Sequence, residues 1–202
     1  MSKVAIVGDA SGTGTFTISA PNGNTDRTLV LPDEAGTIIT TAGVPASAMP
    51  AGSVLQVVQS VVTNSFQVSG TFGSNIISAS ITPISSSNQI LILANMSFGT
   101  DNSSNLDTIF ALYRNGSVIT GATGDSQGSV TRGTFSGASR QIYELNSGST
   151  TYLDSPSTTS AITYSVRVRT SGTIWINSDM YHSTNADDTR GISTLTVMEI
   201  GA

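Results

Sequence analysis

Apolar and polar positions alternate with a period of two along much of this chain, most cleanly in its last third. Ile162, Tyr164, Val166 and Val168 share one face of an extended segment, and Thr163, Ser165, Arg167 and Arg169 share the other. That pattern marks a half-buried strand. Ser171-Gly172 then offers turn chemistry, and Ile174 and Ile176 resume opposite Trp175. The pattern predicts a hairpin of residues 163–169 and 173–177. Pro156 cannot donate to a ladder, so residues 152–161 are expected as a loop or sheet edge. Further strands are predicted over residues 54–62, 65–71, 76–81, 89–95, 108–114, 118–120, 141–145 and 194–200. The run from Ile90 to Ala94 is apolar throughout and is expected as a central strand buried on both faces. Asn115-Gly116 is the strongest two-residue hairpin signal. Short strands with turn signals every 8–12 residues or so describe an all-β sandwich or barrel, and no long amphipathic helix is evident.

The first 41 residues differ from the rest. Gly8, Gly12 and Gly14 follow a short apolar run and imitate a dinucleotide-binding start, but the chain continues as Thr15-Phe16-Thr17-Ile18, which alternates like a strand. A phosphate-binding glycine loop must open a helix, so the glycines read as turns. Asn22-Gly23-Asn24 is a further turn. Small β pieces with few large apolar side chains do not bury enough surface to stand alone, so this segment should pack against copies of itself or another protein. Residues 42–53 combine two prolines with small residues and no periodicity, the signature of a linker. The expected organisation is an N-terminal β segment over 1–41, a linker over 42–53 and an antiparallel β-sandwich head over 54–202.

Composition narrows the function. Only 10% of the 202 residues are charged and the net charge is −5, so solubility must rest on hydroxyls and amides. The eight Lys and Arg are scattered and form no basic stripe, which argues against nucleic acid as a partner. The absence of cysteine removes disulfides, thiolate metal sites and Cys nucleophiles. No apolar stretch reaches the 18 or so residues of a membrane span, and residues 1–9 do not resemble a secretory signal. A soluble protein made in a cytoplasm is expected.

Candidate chemistry is sparse. His182 is the one histidine, and Asp179, Asp187 and Asp188 lie near it, but no nucleophile elbow or metal-binding spacing accompanies them. Asp101, Asn102, Asn105, Asp107, Asp187 and Asp188 offer oxygen ligands without the order of a calcium loop, and are expected as solvated turn residues. No catalytic, cofactor-binding or metal-binding residue is assigned. A glycan-degrading activity would need a carboxylate pair, for which Glu144 and Asp154 are the acids to test. Residues 122–138 and 179–191 exceed what a compact connection needs, and surplus loop often carries recognition. Arg132, Tyr181, His182, Asp187, Asp188 and Arg190 are therefore the receptor-contact candidates. Trp175, Arg167 and Arg169 are the oligomer-interface candidates, since Trp and Arg are enriched at interfaces.

Five segments in series also carry a resemblance: GTFTISAPNGNTDRTLVLPDEAGTIIT, AGSVLQVVQS, SASITPISSSNQILIL, TTYLDSPSTTSAITYSVRVRTSG and STLTVMEIGA. Together they resemble bacteriophage virion proteins of the tail-fibre class. The resemblance implies a trimeric, non-catalytic fibre or spike tip, with an N-terminal attaching or trimerising segment and a jelly-roll-like head. Its partners would be other virion proteins of tail, baseplate or capsid, and a host-surface glycan or protein. Its location would be the virion. Fibre proteins of this kind usually carry such a unit at the end of a long shaft. The alternative is accordingly a capsid decoration or cement protein bound to the viral shell, and a glycan-degrading spike enzyme is a third class.

Overall fold

A computed structural model describes residues 11–15, 17, 22–24, 28, 44–100, 108–137, 144–179, 186 and 188–202. The chain divides into two compact units, Met1–Ile39 and Thr40–Ala202. In the first, residues 22–24 form a bend at the Asn-Gly-Asn sequence. The second contains ten strands: β1 Val54–Val62, β2 Phe66–Thr71, β3 Ile77–Ile81, β4 Gln89–Thr100, β5 Thr108–Arg114, β6 Ser117–Val118, β7 Phe135–Gly137, β8 Asn146–Asp154, β9 Ile162–Ile176 and β10 Ser193–Ile200. Two short 3-10 turns, Ala46–Ala48 and Thr120–Ala122, are the helical elements among the described residues.

The architecture is an all-β antiparallel sandwich, and its spine is β9. This 15-residue strand pairs along one side with β2 and then β3, and along the other with β5 and the last three residues of β4. The second layer runs β1-β10-β4-β8. β7 extends the first layer beyond β5. Two four-position layers in these orders, with β4 crossing from one to the other at Phe98–Thr100, are the jelly-roll arrangement. Period-two alternation gives each layer one inward face. Ile92, Met96 and Val197 face Tyr164, Val166, Ile174 and Leu112 in one continuous core. Phe98, Phe110 and Phe135 fill one end, with ring centroids 5.1 and 4.9 Å apart. Such pairs each add about 0.5–1.5 kcal/mol beyond burial.

Several expectations are corrected. Residues 162–176 are one strand, with Asn177 just beyond its end, and not a hairpin: Thr170 and Thr173 sit opposite the adjacent Gly70 and Ser69, so Ser171 and Gly172 form a bulge within β9. The two extra residues preserve the in-and-out phase, which keeps Ile174 and Ile176 buried and Trp175 outward. Ile90 to Ala94 lies centrally between β10 and β8, yet Leu91 and Leu93 are only half-buried because no further layer covers their face. There Val57, Met198, Leu91 and Leu153 form an apolar row across four strands, with Val57 54% and Leu153 44% exposed. Residues 118–120 hold only the end of β6 before a 3-10 turn. Glu144 and Leu145 are not in a strand, and 141–143 lie outside the described residues. β7 and β8 form where no strand was predicted. Asn115 and Gly116 both take positive φ, 49° and 81°, and join β5 to β6 as a tight hairpin.

The chain enters the sandwich beside its own C-terminus. Gly52 N–H donates to Gly201 O (2.8 Å) and Gly201 N–H to Ser53 O (2.9 Å). Residues 44–53, read from sequence as linker, are thus partly tied to this unit. Below them sits Glu199, fully buried, whose carboxylate accepts from Asn88 Nδ2 (2.7 Å), Ile84 N–H (2.7 Å) and Gln56 Nε2. Burial pushes this carboxyl up, but the Asn88, Gln56, Ile84 and Ser85 donors outweigh it and hold Glu199 below its ordinary value.

Candidate functional site

The outward face of the β9 layer gathers the groups best suited to recognition. Alternation along β9 sends Arg167, Arg169 and Trp175 to this side, as the sequence indicated, and all three are half-buried. Pairing then adds residues that the sequence did not connect. Tyr113 on β5 lies one register step from Ala111, the partner of Arg167, and the guanidinium of Arg167 stands 4.3 Å from the Tyr113 ring centroid. Arg167 Nε also donates to Asn75 Oδ1 (2.8 Å). Phe72 closes the group, its ring 6.2 Å from that of Tyr113 and tilted by 47°.

Phe72 holds φ at 45°, in the left-handed region that a bulky side chain rarely adopts. Its N–H donates to Val168 O (2.8 Å), which fixes the backbone against the spine. Residues held in such conformations cost on the order of 1–3 kcal/mol and concentrate at ligand clamps and functional sites. Nothing in the sequence flags Phe72, because phenylalanine carries no left-handed preference. Tyr113 was legible in part: it directly precedes the strand end fixed by Asn115-Gly116, in phase with outward Ile109.

Arg169 lies between Thr71 and Ile109 in register. Unlike Arg167, it makes no hydrogen bond or ion pair among the described residues, while no outward position of β2, β3, β5, β7 or β9 carries an acidic side chain. Gly133 lies against Ile109, where a Cβ would come within 2.2 Å of Ile109 Cγ2, so the loop closes on the edge of this face and brings Arg132 to its rim. Arg132 is exposed and its Nε donates to Gly124 O (2.6 Å).

The other loop candidates lie elsewhere. Arg190 is bonded to Ser178 Oγ and the two residues bridge as antiparallel partners. Ser178 is ten residues beyond Val168, whose partner Phe110 bonds Thr134 near Arg132. At about 3.3 Å per residue that is on the order of 30 Å along the spine. The structure therefore does not bring Arg132 and Arg190 together. Asp188 is half-buried near Arg190, and Tyr181, His182 and Asp187 lie outside the described residues, as do Asp101, Asn102, Asn105 and Asp107. The stem of that loop is firmly built. Asn177 Nδ2 donates to Val62 O (2.8 Å) and Asn64 O (3.1 Å), Ser193 Oγ donates to Asn177 Oδ1 (2.7 Å), and Thr189 N–H donates to Asp179 Oδ2 (3.0 Å).

The acids considered for hydrolysis are not paired. Asp154 is buried at one end of β8, where Arg114 Nη1 donates to its oxygens at 3.0 and 2.8 Å and Tyr164 Oη at 2.7 Å. Burial, reinforced by the Asp154 contact, pushes the Tyr164 phenol far up, so it serves as a neutral donor. Glu144 precedes the opposite end of the same strand. A glycosidase pair stands about 5–9.5 Å apart, which the length of β8 precludes. Among the described residues no three acidic or histidine side chains cluster as a metal site, and no helix is long and apolar enough to cross a membrane.

No protein-family model matches the chain, and no curated protein matches it. Among solved structures, a chain of the "Structure of infectious bursal disease virus Gx strain" is similar at 14% identity and a TM-score of 0.32, covering 74% of this chain and 39% of that one. An overlap of that size carries neither fold nor function from one to the other.

Proposed function

We propose that this protein is a non-enzymatic structural component of a phage virion: a short tail fibre or spike tip, trimeric, attached to the particle through its N-terminal segment and contacting the host surface through its head. The observation that supports this best is the jelly-roll strand order of the second unit. It is the head that the serial sequence resemblance to tail-fibre proteins implies, on a fold used repeatedly by viral shells and lectin domains. The uncharged apolar row across β1, β10, β4 and β8 favours a second reading, a decoration protein seated on the viral shell, since a face of that kind suits a protein surface.

Labelled antibody on purified virions separates these readings. Label at the tail tip is the expected result, label spread over the capsid selects the decoration protein, and unlabelled virions overturn both. Incubating the protein with host-surface polysaccharide and sizing the products tests the absence of hydrolysis, with an unchanged chain length expected.

A further inference from the structure

We propose that the outward face of the β9 layer, built on Phe72, Tyr113, Arg167 and Arg169, binds a carboxylated saccharide. This deepens the host-contact reading by naming the ligand class and by moving the contact from the loop tips to a sheet face.

Three observations converge. The first is the unanswered charge of Arg169: a half-buried guanidinium with no partner among the described residues, on strands whose outward positions hold no acid. In a chain of net charge −5, Arg167, Arg169 and Arg132 make one face locally positive. A planar guanidinium fork matches a carboxylate bidentately. The second is the backbone conformation of Phe72. Holding a phenylalanine at φ 45° costs stability, and what it achieves is an aromatic ring beside Tyr113 at the edge of the same face. The apolar face of a sugar ring covers such a side chain well, while the ring of Tyr113 is already taken by Arg167. The third is the polar fringe. Gln67, Ser69, Thr71 and Ser78, with Asn75 between the two strands, line the β2–β3 side of β9 with hydroxyl and amide groups suited to sugar hydroxyls.

The arrangement disfavours the other anionic polymers. Tight binding to nucleic acid draws on many phosphate contacts, about 6–10 in the salt-sensitive binders that depend on them, and this face offers three arginines on an acidic protein. Along β2, Gln67 to Thr71 spans four residues and sets Trp175 about 13 Å from Arg169 at strand spacing. That length suits a run of several sugar rings lying along the spine.

The test is calorimetric titration of the full chain with oligogalacturonate, its fully methyl-esterified counterpart and a single-stranded oligonucleotide of equal length. Binding of the acid form alone is expected, weakening as ionic strength rises. Arg169→Ala should weaken it at least tenfold, and Arg169→Lys by less. Phe72→Gly should also weaken binding while leaving Tm unchanged or raised, because glycine accepts the left-handed backbone without strain. That separates loss of the ring from loss of the fold. Arg190→Ala, remote from the face, should bind as the parent does. Equal binding of the methyl ester, unchanged affinity in Arg169→Ala, tighter binding of the oligonucleotide, or no binding of the acid form would each overturn the proposal. Virion labelling is independent of all these outcomes, so failure here leaves the attachment reading standing.

Discussion

Glu199 shows how one residue couples this fold to pH. Among the described residues its carboxylate is buried without a cation and depends on neutral donors from residues 56, 84, 85 and 88 to remain charged. Its folded pKa is depressed below the ordinary 4.5, so the stability it contributes is complete above the unfolded value and is lost as pH falls through the folded one. Protonation removes the charge that these donors stabilise and leaves one of its oxygens a donor. In Glu199→Gln the amide leaves at least one of those donors unmet at every pH, at a cost of about 1–3 kcal/mol. Melting temperatures from pH 7 to pH 3 should therefore show the parent well above the variant at neutral pH, with the gap narrowing below about pH 4.5. A constant gap would mean that the carboxylate is not charged in the folded protein.

At the scale of elements, the bulge in β9 is the decisive feature. Removing Ser171 alone would reverse the phase beyond it, turning Trp175 inward and Ile174 and Ile176 outward. Each isoleucine is worth about 1.5–3 kcal/mol in burial, so about 3–6 kcal/mol is at risk against a typical stability of about 5–15 kcal/mol. Removing Ser171 and Gly172 together restores the phase. We expect the single deletion to abolish the cooperative melt and the double deletion to retain it, and calorimetry of the two variants checks this order. The same bulge marks where sequence reading stops. Ser-Gly has the chemistry of a turn, and only β2, which pairs with β9 on both sides of it, makes it a bulge. β8 was illegible for another reason: its inward Gly148, Thr150 and Tyr152 include small or polar groups that show no apolar alternation, and pairing with β4 imposes the strand. The alternating strands and the Asn115-Gly116 turn were legible because local chemistry and tertiary context agree there. The candidate face was half legible, since Arg167 and Arg169 follow from alternation while Phe72 and Tyr113 join them only through strand pairing.

At the scale of the molecule, every core residue among the described residues belongs to the second unit. Deleting residues 1–41 should leave its β-sheet circular dichroism intact, and loss of that signal would show the two units to be interdependent. Light scattering on a size-exclusion column should give the full chain three times its 20.7 kDa mass, and the truncated chain the mass of a monomer. A trimeric truncated head would transfer the assembly contact to the sandwich, with the apolar row of Val57, Met198, Leu91 and Leu153 as the first surface to substitute.

The hydrogen-bonded meeting of Gly52 and Gly201 has a mechanical consequence. Beyond it β1 runs antiparallel to β10 from Val54 beside Ile200 to Val62 beside Ser193. Tension applied at residue 53 along the strand axis loads that ladder in shear, so its pairs must yield together, whereas a pull across the sheet would peel them one at a time. A head tethered by this strand and gripping a cell by the face of β9 would hold longest when dragged lengthwise, and would release most readily when tugged sideways.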